Sequence, residues 1–141
     1  MKKIRVIVVM LVLLVLGTSV LVGCDSGNLP PDNNPSISYE DILNEYTQKL
    51  QTATPTLIDE FREEAESNQD GVTGLATLSN IKTSKLAEIC TEGTQKMATL
   101  YYLKGGEYSE YSEWAGKLTD VYMVEGLKIH DVYIELALEI M

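Results

Sequence analysis

The sequence predicts an all-α fold: an antiparallel bundle of three long helices, four if Pro55 splits the first. Three observations carry this. Apolar residues recur at intervals of three and four through most of residues 38–139, the spacing that lines one face of an α-helix. No stretch alternates apolar and polar residues as a half-buried strand does. Polar, glycine-containing breaks at 67–74 and at Gly105-Gly106 cut the periodic region into long segments.

In chain order, the first element is a leader. Lys2, Lys3 and Arg5 form a short cationic start, and Val6 to Leu16 is an unbroken run of eleven apolar residues. Gly17, Thr18 and Ser19 then loosen the segment, which gives the three-part layout of a secretory signal over residues 1–23. An uncleaved membrane anchor competes with this reading, because Val6 to Cys24 holds no charge. The purely apolar run is short for a span, and Asp25 stands where a stop-transfer cluster would place basic residues.

Leu21, Val22, Gly23 and Cys24 close the leader, and this box resembles the lipobox of bacterial lipoproteins. The resemblance covers residues 1–24 only. It implies that the Cys24 sulfur receives a diacylglyceryl group and that the bond before it is cut. Such a chain is extracytoplasmic and lipid-anchored to the bacterial cell membrane, since two acyl chains at about 0.8 kcal/mol per buried methylene hold durably. Asp25, directly after the cysteine, resembles the inner-membrane retention signal of some Gram-negative lipoproteins.

Residues 24–37 carry the cysteine and a flexible tether. Three of the four prolines lie between Asp25 and Pro35, and only Leu29 is apolar there, so the segment has nothing to bury. Stretched out, it reaches at most about 40 Å. Residues 38–141 form the bundle domain.

Ser38 reads as the cap of the first helix, with Asp41 three residues on and Ile37 and Ile42 at the staple positions. Ile42, Tyr46, Leu50, Ala53, Leu57 and Phe61 hold helical phase across Pro55, which favours one unit from about 38 to 67. In the second helix Leu75, Leu78, Ile81, Leu86, Ile89, Cys90, Met97, Leu100 and Tyr101 are expected inward, with Gly93 marking a close crossing. The third runs from 107 to 139, about 50 Å. Its inward series is Tyr108, Tyr111, Ala115, Leu118, Tyr122, Glu125, Ile129, Val132 and Leu136, widened by Trp114 and Val121.

Charge excludes some partners. The net charge of −10 becomes −13 once Lys2, Lys3 and Arg5 leave with the leader, a surface that repels nucleic acid and anionic headgroups. With Cys24 given to lipid, Cys90 stands alone and no disulfide framework remains. His130 is the only histidine, which removes paired-histidine zinc and di-iron motifs. Cys90 would need a base and a depressed pKa to act as a nucleophile, so a buried, inert thiol is expected. The acids of the Glu107–Glu113 run and of the Asp59–Glu66 cluster read as solvated faces. Glu125 is the one polar residue in the third stripe, expected at its edge and reaching water, or paired with Lys82, Lys85 or Lys96.

These exclusions point away from catalysis and from any cofactor. The expected function is a non-enzymatic, membrane-tethered module that binds an envelope protein or a ligand; an immunity, inhibitor or exclusion role fits that description. Its candidate binding surface is Tyr102, Tyr108, Tyr111 and Trp114 around the Gly105 turn. In the competing reading Tyr101, Tyr108 and Tyr111 close the core, and Tyr102 and Trp114 remain exposed. The alternative function is structural, a homo-oligomer burying a second stripe such as Tyr102, Val124 and Ile134. A metal or ligand carrier is the weaker alternative, with only carboxylates left for ligation.

Overall fold

The computed structural model describes residues 37–141; the leader, the lipobox residues Leu21, Val22, Gly23 and Cys24, and most of the tether lie outside them. Three helices follow one another: α1 Tyr39–Glu66, α2 Gly71–Lys104 and α3 Tyr108–Glu139. Each packs against the other two.

The predicted cap starts α1. Ser38 Oγ accepts from the Asp41 amide at 3.1 Å, and the Ser38 amide donates to Asp41 Oδ2 at 2.9 Å. Two donors that a helix start leaves orphaned are satisfied reciprocally. The Ser38 hydroxyl and amide together hold the Asp41 carboxyl below the usual carboxylate range. The staple does not close, because Ile37 stays 62% exposed. Pro55 lies inside α1 without dividing it. Its ring faces solvent, so it meets no neighbouring helix. Thr54 beside it is buried and donates to the Leu50 carbonyl at 2.8 Å, within the helix's own backbone. The seam of Tyr39, Ile42, Tyr46, Leu50, Thr54, Leu57 and Phe61 runs unbroken through the proline.

Contacts between helices set the directions. Lys104 meets Ile37, Lys96 meets Glu45 and Lys82 meets Glu60, so α2 descends as α1 rises. Tyr39 stacks on Trp114 and Arg62 pairs with Glu135, so α3 runs parallel to α1. The chain therefore enters the bundle at the end that holds the α2–α3 turn. That turn closes on Gly105, whose left-handed φ of 62° suits glycine and whose amide donates to the Tyr101 carbonyl at 3.0 Å.

α2 keeps the expected phase and departs from it at one position. Its buried residues are Leu75, Ser79, Lys82, Leu86, Cys90, Gly93 and Met97. Ile81, expected inward, is 48% exposed, and Lys82 takes its place at 1%. The exchange has a physical cause. The Lys82 stem lies among apolar neighbours, and its ammonium reaches Glu60 at 2.9 Å and Glu64 at 2.8 Å on α1. Gly93 does mark a close crossing: a Cβ there would sit 2.5 Å from Leu118 Cδ2 and 2.7 Å from Tyr46 Cγ, so all three helices meet at this glycine.

Candidate functional site

The aromatic end is assembled by the last turn of α2, the first two turns of α3 and the start of α1. Tyr101 is the hub. Its ring centroid lies 5.2 Å from Tyr102, 6.3 Å from Tyr108 and 5.8 Å from Tyr111, distances at which tilted and edge-on aromatic pairs attract. Tyr108 and Tyr111 add a contact at 5.8 Å. Beside them Trp114 stacks on Tyr39 at 6.5 Å, and Lys117 Nζ sits 4.0 Å over the indole.

The structure sorts the four candidates into two pairs. Tyr102 is 80% and Tyr108 65% exposed, whereas Tyr111 and Trp114 are half-buried and pack on the core. Tyr108 had been expected to close the core. It is the first residue of α3, and its ring rests against Tyr101 and Tyr111 while most of it faces solvent. Trp114, expected outside, is held by Tyr39. Two further residues complete the patch. Leu103 is 81% exposed, and Ile37 is fixed nearby through its carbonyl, which accepts from Lys104 Nζ at 3.2 Å. Leu103 lies off the helical stripe, and an off-phase leucine beside a glycine turn was the sequence signal for it.

Glu40, Glu110 and Lys104 line a surface pocket with Tyr39 and Trp114, Glu107 precedes Tyr108 in the chain, and Lys117 covers the indole. Glu113 pairs with Lys117 at 2.8 Å, which holds its carboxyl below the usual range. Burial, then the nearby Glu110, push the Tyr39 phenol up, so it stays a neutral hydrogen-bonding group. The patch can thus offer flat apolar contact area and tyrosine hydroxyls, with carboxylates and two lysines beside it.

The residues with catalytic chemistry are placed elsewhere and apart. Cys90 is 8% exposed, and burial raises its thiol pKa, away from the reactive thiolate. His130 lies on the outer face of α3, its ring 5.7 Å from that of Tyr133. Glu125 corrects its expectation. It does not reach water at a stripe edge but is 2% exposed, and its partner is Lys128 of its own helix at 2.6 Å, not a lysine of α2. Its Oε2 has no hydrogen-bond partner. Among the described residues no three His, Cys, Asp or Glu side chains gather to hold a metal ion, and no helix is long and apolar enough to cross a membrane.

The fold and this surface together define a small acidic three-helix bundle with an exposed aromatic end. Compared with known proteins, the chain matches no family model, no curated protein and no solved structure.

Proposed function

We propose that this protein is a lipid-tethered, extracytoplasmic binding module without catalytic activity, which recognises another envelope protein through its aromatic end. The observation that carries the reading is the exposure of Tyr102, Leu103 and Tyr108 together at the end where the chain enters the bundle. Burying such side chains against a partner is worth about 1.5–3 kcal/mol each. Tyr is also among the residues that dominate binding energy at protein contacts.

The address rests on the leader and on Cys24. With a tether of at most about 40 Å, the aromatic end works close to the membrane. The carboxylates around it disfavour anionic headgroups as its ligand and favour a protein that brings its own cations. Among the described residues the one thiol, Cys90, is buried and the one histidine, His130, is exposed and apart from it, which supports a non-catalytic reading.

Metabolic labelling with an alkyne fatty acid tests the address. The wild-type chain takes up label and the Cys24→Ala chain takes up none. Equal labelling of both chains contradicts the lipobox assignment.

A further inference from the structure

α3 has a second apolar face. Met123, Leu127, Ile134 and Leu138 are 54%, 59%, 44% and 66% exposed. At about 100° per residue they fall within a sector of about 60°, opposite the core residues Glu125, Ile129 and Val132. Their combined exposed surface is roughly 450 Å², within the range of the largest apolar patch on an ordinary monomer and often functional at that size.

The order of residues along this face is self-complementary. Lay a second copy across it antiparallel, with a two-fold axis between His130 and Asp131. Leu127 then meets Ile134 of the second copy, and Met123 meets its Leu138, each pair occurring twice. Lys128 and Asp131 are three apart and share one flank of the helix. Across the same axis each Lys128 faces Asp131 of the second copy. Lys128 Nζ, 52% exposed, donates to Glu125 at 2.6 Å and keeps two further donors for that pairing. A two-fold axis along parallel helices instead turns the two Lys128–Asp131 flanks to opposite sides of the contact, where they cannot pair. With the flanking residues, the two copies bury about 1,000 Å², the lower bound for a specific contact.

We propose that the outer face of α3 is a self-association surface that seats a second copy of the chain antiparallel, about a two-fold axis between His130 and Asp131. Such a contact is isologous and closes on itself, so it gives dimers and not fibres. It is remote from the Tyr102–Tyr108 patch and does not depend on lipid at Cys24. At this interface size the dimer is weak in dilute solution, and confinement of the chains raises their effective concentration.

Cysteine crosslinking of the full chain in cells tests it. On mild oxidation, His130→Cys gives a disulfide dimer several-fold above the wild-type background. Differently tagged Met123→Cys and Leu138→Cys chains crosslink to each other when co-expressed. Adding Leu127→Glu to the His130→Cys chain removes the dimer, while circular dichroism shows that the helices remain. The proposal is overturned by no rise over wild type, by an adduct whose mass is not that of two chains, or by Met123→Cys crosslinking to itself, the mark of a parallel pairing. It is equally overturned if Leu127→Glu leaves the His130→Cys dimer intact.

Discussion

Lys82 of α2 buries its whole side chain and still places its ammonium 2.8 Å from the Glu64 carboxylate of α1. The arrangement is half inside and half outside, because Glu60 and Glu64 remain 41% and 47% exposed. Burial is the largest single influence on Lys82 and pushes its pKa down. The two carboxylates together outweigh it, and the net shift is upward. These ion pairs join α1 to α2 and accompany the burial of Lys82 at the position expected of Ile81.

The cost of separating these groups is unequal. Lys82→Met keeps most of the packing volume and removes the charge, so it changes stability by no more than about 1 kcal/mol. The double variant Glu60→Gln, Glu64→Gln leaves the ammonium buried without a carboxylate and loses more stability than Lys82→Met in urea unfolding. The reverse ranking contradicts the account.

The pH dependence follows with a definite sign. Lys82 is raised, so its contribution is present below the unfolded lysine pKa of about 10.4 and is lost as pH rises through the folded value. Hydrogen bonds from Lys82 and Lys85 lower Glu60, so its contribution is present above the unfolded pKa of about 4.3 and is lost as pH falls through the folded value. Wild-type Tm therefore drops more than Lys82→Met Tm between pH 5 and 3. Parallel curves for the two chains contradict the assignment.

Gly93 is the contact point of all three helices. Alanine there gains about 1 kcal/mol of helix propensity but drives a methyl group into the Tyr46 ring and Leu118. Overpacking of this kind costs about 1–3 kcal/mol, and the Tyr46 ring is anchored at the contacted atom, so steric cost wins. Gly93→Ala is expected to lower unfolding free energy by about 1–2 kcal/mol. A stabilised variant would show that the crossing is looser than described.

Glu125 contributes the opposite case. One oxygen is paired with Lys128 and the other is buried without a partner. Replacing such a carboxylate by an apolar side chain of similar size relieves desolvation, and Glu125→Leu is expected to stabilise by about 1–2 kcal/mol. Chemical denaturation measures this. Strong destabilisation instead would mean that the carboxylate holds the helix in place.

α1 is legible from sequence in nearly every detail. Ser38, Asp41, Ile42, Tyr46, Leu50, Leu57 and Phe61 behave as their spacing says, and phase decides the Pro55 question in favour of one helix. The phase of α2 is legible as well, except at one position for which Ile81 and Lys82 compete. The winner depends on two glutamates some twenty residues earlier in the chain, which periodicity does not see. At the aromatic end the residue types are legible and their exposure is not. Tyr108 meets the Tyr101 and Tyr111 rings yet stays 65% exposed at the bundle end, and Trp114 finds Tyr39, a pairing between helices that sequence spacing leaves open.

The central claim is that the Tyr102–Tyr108 end is a recognition surface. A photo-crosslinking amino acid placed at Tyr102 in the full chain, activated in living cells, tests it most directly. The account predicts one discrete adduct to a different envelope protein, and no such adduct from the same probe at exposed Glu88 in the middle of α2. An identical pattern from both positions, or no adduct from Tyr102, contradicts it.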